Sequence, residues 1–87
     1  MANKPIRIGV HARFEMQRRS ITEAQIRAVI RRPGQILSVA HGRQIYQSLI
    51  GRSRRMLLRV IVKENPQAYY VVTAYKTSRI AKYWSQS

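Results

Sequence analysis

The chain begins with an alternation of apolar and polar positions and then changes to a helical spacing. Residues 6–10 (IRIGV) alternate with a period of two, which predicts a short N-terminal strand. From His11 onward, side chains recur at intervals of three and four, so we predict a first helix over residues 11–19. Thr22-Glu-Ala-Gln25 is a capping-box pattern followed by an apolar stripe, and it predicts a second helix over residues 22–32.

After Pro33 the chain has the composition of strands separated by turn signals. The four predicted strands cover residues 35–39, 43–50, 54–63 and 68–75. The last two are apolar on both faces, so we expect them in the middle of a sheet that is covered on each side. The tail, residues 76–87, is compatible with a helical turn through Ile80 and Trp84. We therefore predict a single α+β domain over residues 1–87, with two N-terminal helices packed on a four-stranded antiparallel sheet.

The charge balance indicates the chemical class of the partner. The 87 residues contain 17 lysines and arginines against 3 acids, a formal net charge of +14, and 45% of them are hydrophobic, as in an ordinary globular protein. Solubility needs far less net charge than this. In a folded domain the excess positive charges repel one another and lower the stability. We therefore expect the natural partner to be nucleic acid, bound through its phosphate backbone. An anionic membrane is less favoured because no helix has a broad apolar face, and an acidic protein is compatible with either reading.

The same composition narrows the possible chemistry and the compartment. Glu15, Glu23 and Glu64 are the only carboxylate side chains, too few and too scattered to hold catalytic metal ions, so we expect no metal and no cofactor. With no cysteine, structural zinc and thiol catalysis are also disfavoured. No apolar run is long enough to span a membrane or to resemble a signal peptide, and the cytoplasm is the expected compartment.

Cleavage of RNA without a metal ion requires a base, an acid and cations around the reacting phosphate. His11 has Glu15 four residues later, close enough on a helix to orient the imidazole. His41 lies in a predicted turn, where an exposed histidine without a role is the usual outcome. Arg59 lies between apolar residues in mid-strand, which is costly unless the guanidinium is paired or faces a cleft.

Aromatic side chains concentrate in the last part of the chain, close to several cations. Strict alternation in the last strand puts Tyr69, Val71, Thr73 and Tyr75 on one side. Such rings can stack on unpaired bases, or they can simply fill the sheet. For Trp84 we favour a packing role, whereas for Tyr83 the two readings remain equally open.

Several short motifs resemble a group of small bacterial and phage proteins of unknown function related to RelE- and BrnT-like toxins. The motifs are His11-Ala-Arg13, Met16, Arg19, Ile21-Thr22-Glu23, Val29 and Pro33, then Val71-Val-Thr-Ala-Tyr75, Lys76-Thr-Ser-Arg79 and Lys82-Tyr-Trp84. The wider group resembles the barnase–EndoU–colicin–RelE superfamily, whose members place two N-terminal helices on a four-stranded antiparallel sheet. The resemblance implies RNA cleavage without metal and a small acidic antitoxin as the neutralising partner.

The resemblance also implies roles for individual residues. His11 would be the acid–base group, Arg59 the phosphate stabiliser and Thr73 a hydrogen-bond donor to phosphate. Tyr75 or Tyr83 would be a second proton donor. The cations expected to contact RNA, free or on the ribosome, are Arg13, Arg18, Arg19, Arg54, Arg55, Lys76, Arg79 and Lys82.

Three hypotheses of function remain open from the sequence. The first is a toxin-type endoribonuclease that uses the 2′-hydroxyl of RNA as the nucleophile. The second is a module that binds RNA or DNA through a basic sheet without chemistry, and the third is a structural protein of a ribonucleoprotein. The sequence does not specify the oligomeric state.

Overall fold

Five strands form one mixed sheet in the computed structural model, which describes residues 4–85 of the chain. In chain order the elements are β1 (Ile6–Ile8), α1 (Val10–Arg18), α2 (Glu23–Arg31), β2 (Gln35–Val39), β3 (Arg43–Ile50), β4 (Met56–Glu64), β5 (Tyr69–Thr77) and α3 (Ile80–Tyr83). The predicted α+β class is confirmed. The predicted ends of most elements lie within two residues of those observed.

The sheet has the order β1-β5-β4-β3-β2, and this corrects the predicted four-stranded antiparallel arrangement. Strands β2 to β5 do form an antiparallel meander. The short N-terminal strand β1 adds a fifth member by pairing in parallel with β5, with Ile6 opposite Tyr69 and Ile8 opposite Val71. The two helices α1 and α2 lie between β1 and the meander in sequence. The parallel pairing is therefore long-range, and no local sequence pattern predicts it.

The main core lies between the first two helices and one face of the sheet. Helix α2 buries Ile26, Val29 and Ile30 on its inner side. The sheet contributes alternate residues of its central strand, Leu58, Val60 and Val62, all fully buried. This spacing of two along β4 is the reason why the residues between them point to the opposite face of the sheet.

Helix α1 contacts the core through a narrower stripe than its sequence suggests. Its buried residues are Ala12 and Met16. Phe14 is 61% exposed, and Val10 is 88% exposed. The small side chain of Ala12 lets the helix lie close to β5, while Val10 and Phe14 remain outside the core.

The start of α2 has the predicted capping box. Thr22 Oγ1 accepts a hydrogen bond from the backbone N–H of Gln25 at 3.1 Å, and Gln25 Oε1 accepts one from the backbone N–H of Thr22 at 3.0 Å. Two backbone donors that a helix terminus would leave unpaired are satisfied reciprocally. Local chemistry therefore determines where this helix begins.

A register shift between β4 and β5 changes which residues of β5 share a face. Ile61 pairs with Thr73, but the next residue of β4, Val62, pairs with Val71, so Val72 has no partner. As a result Val71 and Ala74 both belong to the helix-side core. The prediction that Val71 shares a face with Thr73 and Tyr75 is wrong, because a bulge of one residue reverses the alternation at that point.

Candidate functional site

Arg59 is a buried cation on the face of the sheet opposite the two large helices. Its neighbours in β4, Leu58 and Val60, point into the helix-side core, so alternation directs Arg59 away from it. Only 7% of the Arg59 surface is accessible. A charged side chain is rarely buried to this extent unless specific groups compensate for the lost water.

Three polar or aromatic side chains surround the guanidinium of Arg59. Its Nε donates a hydrogen bond to Gln47 Oε1 at 2.8 Å, and its Nη1 donates one to the Tyr75 hydroxyl at 2.5 Å. The ring of Tyr83 lies 4.3 Å from the guanidinium carbon, within the range of a cation–π contact. The two tyrosine rings meet edge to face with centroids 6.3 Å apart. We name this group of Arg59, Gln47, Tyr75 and Tyr83 the Arg59 cluster.

The Arg59 cluster contains no carboxylate. Among residues 4–85, the ion pairs engage other cations, and Arg59 takes part in none of them. Its hydrogen bonds are to a neutral amide and a phenol, which orient the guanidinium but do not neutralise it. A desolvated charge without a counter-ion produces a strong positive potential at the surface above it, and it attracts anions such as phosphate.

The C-terminal segment lies against this face and supplies Tyr83. Gln47 Nε2 donates a hydrogen bond to the Tyr83 carbonyl at 3.1 Å. Gln35 makes a two-way contact with the backbone of Ser85, donating to its carbonyl at 2.7 Å and accepting from its N–H at 3.0 Å. A side chain at Gly34 would meet the Trp84 ring, since an added Cβ would lie 2.9 Å from Cη2. Trp84 therefore packs against the start of β2, in agreement with the packing role favoured for it.

Gln35 and Gln47 are site residues that the sequence reasoning missed. Gln47 is fully buried, and it bridges Arg59, Gln35 and the backbone of the C-terminal segment. The available signal was weak, because β3 also contains Arg43, Gln44 and Ser48, and an uncharged amide among them does not stand out. A buried amide in such a position has to satisfy both its donor and its acceptor groups.

The structure brings together several of the predicted catalytic residues. Arg59 and Tyr75 are direct cross-strand partners, and Tyr83 completes the cluster. Thr73 lies two residues before Tyr75 on the same face, opposite Ile61. The Lys82 ammonium lies 5.2 Å from the centroid of the Tyr83 ring.

The structure does not place His11 with this group. His11 is exposed on α1, which packs on the other face of the sheet. Glu15 does not orient it as predicted, because the carboxylate pairs with Arg18 at 2.8 Å and with Arg19 at 2.9 Å. His41 lies in the β2–β3 turn with a positive φ of 66°.

Ion pairs divide the predicted RNA-binding cations into two groups. Arg13, Arg18 and Arg19 each pair with a glutamate, and Arg19 also donates to the Ala74 carbonyl at 2.7 Å. In the part of the chain that the structure describes, the other five have no ion pair; they are Arg54, Arg55, Lys76, Arg79 and Lys82.

Five cations that form no ion pair within residues 4–85 lie at one end of the sheet. The antiparallel register places the end of β3, the start of β4 and the end of β5 side by side, with Ile50 opposite Met56 and Leu57 opposite Thr77. The β3–β4 turn, the end of β5 and the residues before α3 therefore lie at the same end. We call this region, which carries Arg52, Arg54, Arg55, Lys76 and Arg79, the basic end.

The three glutamates make the stability of the fold depend on pH in the acid range. The hydrogen bond from Lys4, followed by the one from the Tyr46 hydroxyl, lowers the pKa of Glu64. Arg18 lowers the pKa of Glu15, and Arg27 with Arg13 lowers that of Glu23. A carboxylate whose pKa is depressed on folding stabilises the native state fully at pH values above its unfolded pKa of about 4.3, and this stabilisation is lost as the pH falls from there through the lower folded pKa.

We therefore expect the free energy of unfolding to fall as the pH is lowered from about 6 to about 3, because the unfolded chain binds more protons. Glu64→Gln is expected to be less stable than the wild type at pH 6, and the difference should shrink as the pH falls through the lowered pKa of Glu64 and the carboxylate takes up a proton. Urea denaturation followed by circular dichroism at several pH values measures both curves. A constant difference between the two proteins across this range would contradict the role given to Glu64.

Within residues 4–85, no helix is long and apolar enough to cross a membrane. No three histidine, cysteine, aspartate or glutamate side chains of the described residues are grouped closely enough to hold a metal ion. The fold and the site thus define a small, strongly basic α+β protein with a buried arginine on the sheet face that the C-terminal segment covers.

Residues 8–76 match a protein family described as a domain of unknown function, DUF4258. The match covers most of the chain, and the chain belongs to this family. No curated protein and no solved structure shows a significant match to the chain.

Proposed function

We propose that this protein is a metal-independent endoribonuclease whose active site is the Arg59 cluster. The observation that carries the proposal is the buried guanidinium without a carboxylate partner, held between two tyrosines. A fold that accepts the cost of burying such a charge gains an oriented phosphate ligand in return. The excess of 14 positive charges favours a polyanionic substrate.

In the proposed reaction the 2′-hydroxyl oxygen of RNA forms a bond with the adjacent phosphorus, and the bond from phosphorus to the 5′-oxygen breaks. The Arg59 guanidinium stabilises the negative charge that develops on the phosphoryl oxygens. Tyr75 accepts a hydrogen bond from Arg59, which leaves its own O–H proton available for the departing 5′-oxygen. The 2′-hydroxyl proton passes to solvent, and solvent returns a proton to Tyr75.

The remaining residues of this face have supporting roles in the proposal. Thr73 donates a hydrogen bond to the phosphate, and Tyr83 offers a flat face for a base beside the Lys82 ammonium. His11 lies on the other side of the sheet, so we propose that charge stabilisation and alignment of the phosphate, rather than an imidazole, give most of the rate acceleration.

The resemblance to RelE- and BrnT-like toxins is consistent with RNA cleavage without a metal ion, but the acid–base role that it implies for His11 is not part of this proposal. We propose on the same basis that a small acidic antitoxin neutralises the protein in the cytoplasm. Its carboxylates would compete with RNA for the cations of the basic end.

The proposed activity has a direct test. The wild type is expected to cleave total RNA in EDTA and to leave 2′,3′-cyclic phosphate ends. Sequencing of the RNA ends or mass spectrometry detects them. Arg59→Ala should be inactive, whereas His11→Ala should retain most of the activity, because His11 is remote from Arg59. If RNA stays intact at a stoichiometric concentration of the protein, with and without ribosomes, the proposed enzyme activity is refuted.

A non-catalytic RNA- or DNA-binding module is the second candidate, favoured by the low exposure of Arg59 and by the position of His11. In that case the basic end alone performs the function. Affinity would fall steeply with salt, by about 0.7–0.9 in log–log slope per phosphate neutralised, and Arg59→Ala would bind as well as the wild type. Binding of this kind without product would select the second candidate over the first.

A further inference from the structure

A cleft opens between the C-terminal end of α2 and the turn that joins β3 to β4. Its volume is about 640 Å³, which is in the range of small-ligand sites. Three arginines line it, Arg31 and Arg32 from the end of α2 and Arg54 from the turn. Its apolar wall is formed by Ala28, Val29, Leu49 and Ile50.

The arginines of this cleft have no carboxylate partner among the described residues. No glutamate is among its lining residues, and within the described residues none of its three arginines forms an ion pair. A second cleft, of about 480 Å³ at the other end of the sheet, differs in that Lys4 and Glu64 form an ion pair within it. The first cleft therefore carries a net positive charge. Three arginines on one concave surface can bind phosphate groups.

The backbone at Arg54 supports a role in binding. Arg54 adopts a positive φ of 53°, a conformation that favours glycine and costs a larger residue roughly 1 kcal/mol. The same turn already contains Gly51, which has a φ of 87° at no such cost. An arginine in this position holds its charge at the mouth of the cleft at the expense of local stability.

The cleft and the Arg59 cluster lie near the same end of the sheet but on different faces. Ser48 lines the cleft, and its neighbour Gln47 contacts Arg59 on the opposite face. Arg59 is three residues from the start of β4, roughly 10 Å along the strand. The basic end adjoins the cleft, because Arg54 belongs to both, so a single strand that crosses the basic end can extend from the cleft toward the Arg59 cluster.

We propose that this cleft binds the phosphate backbone of the RNA strand at a distance from the cleavage site, with Arg31, Arg32 and Arg54 as the phosphate ligands. This inference deepens the proposed function and rests on it. The cleft would give long RNA an advantage over short RNA, because only a strand that spans the basic end reaches both places. The apolar wall can pack against a base or a ribose.

Binding and cleavage are tested separately so that the two proposals can fail independently. The probe for binding is a fluorescent 2′-O-methyl oligonucleotide of about 12 nucleotides, which cannot be cleaved because it lacks the nucleophile. The variant is Arg31→Ala with Arg54→Gly. The matched control is Arg7→Ala with Arg43→Ala, which removes the same charge from exposed arginines outside the cleft.

The cleft variant is expected to bind the probe about tenfold more weakly, and its log–log salt slope should be smaller by about 1.4, or 0.7 for each lost contact. The control should change much less. The melting temperature of Arg54→Gly should equal or exceed that of the wild type, because glycine relieves the positive φ. Weaker binding then reflects lost contacts and not unfolding.

If the variant and the control lose the same affinity for the probe, the proposed binding site in the cleft is wrong and only nonspecific electrostatic attraction remains. A preference of the cleft for an acidic peptide such as hexaglutamate over the oligonucleotide would overturn it as well. In cleavage assays, the variant should lose activity on long RNA but not on a dinucleotide, whereas Arg59→Ala loses both. If the wild type cleaves nothing but the variant still binds more weakly, the enzyme proposal fails while the cleft stands.

Discussion

Substitution of Arg59 by lysine is expected to lower the rate of RNA cleavage by about 10²–10³-fold, the usual effect of removing one oriented donor from a developing oxyanion. Lysine keeps the positive charge but has a single ammonium group. It cannot contact Gln47 Oε1, the Tyr75 hydroxyl and a phosphate with the planar geometry of a guanidinium. Single-turnover cleavage of a defined RNA oligonucleotide measures the effect directly on the chemical step.

Two further variants make this result interpretable. Tyr75→Phe removes only the hydroxyl group and should slow cleavage by about 10²-fold while the ring contact with Tyr83 remains. Arg43→Lys makes the same change of side chain at an exposed position and should leave the rate unaltered. The assays are run below the melting temperature of each variant, because a lost partner of Arg59 costs about 1–3 kcal/mol of stability. A folded Arg59→Lys protein with wild-type activity would remove the Arg59 cluster from the mechanism.

Ile26→Ala is expected to lower the free energy of unfolding by about 2–4 kcal/mol. Ile26 is fully buried where α2 faces the sheet, and truncation leaves a cavity that the close-packed core fills only in part. In a domain of 87 residues this corresponds to a fall in melting temperature of roughly 10–25 °C. Thermal and urea denaturation followed by circular dichroism give both quantities.

The control for this prediction is Val10→Ala on the first helix. Val10 is 88% exposed, so its truncation creates no cavity, and alanine is the better helix former. Its stability should stay within about 0.5 kcal/mol of the wild type. Equal destabilisation by the two substitutions would mean that the core does not lie between α2 and the sheet.

The local patterns of the sequence predicted the helices and strands well because each pattern depends on interactions between residues close together in the chain. Thr22 and Gln25 form the expected box because the chemistry of a capping box involves only four neighbouring residues. The strands Gln35–Val39 and Arg43–Ile50 have the predicted bounds because turn residues separate them. The pairing of β1 with β5 could not be predicted in this way, because it joins residues more than sixty positions apart.

The site was predictable only in part for the same reason. Arg59 stood out because a charge inside an apolar strand has to be explained, whatever the fold. That Tyr75 lies opposite it depends on the register of β4 and β5, which includes a bulge. Gln47 gave a weaker signal, since an amide is less costly to bury than a charge.

The sequence by itself determined the α+β class, the limits of α2 and most strands, the excess of positive charge and the cost of burying Arg59. These properties depend on composition and on neighbours along the chain. Only the tertiary structure decided that Arg59 meets Tyr75 and Tyr83 while His11 lies across the sheet. It also decided which cations the three glutamates engage and which gather at the basic end. Such contacts depend on strand register and on which face of the sheet each helix covers, and both are set by packing between distant segments.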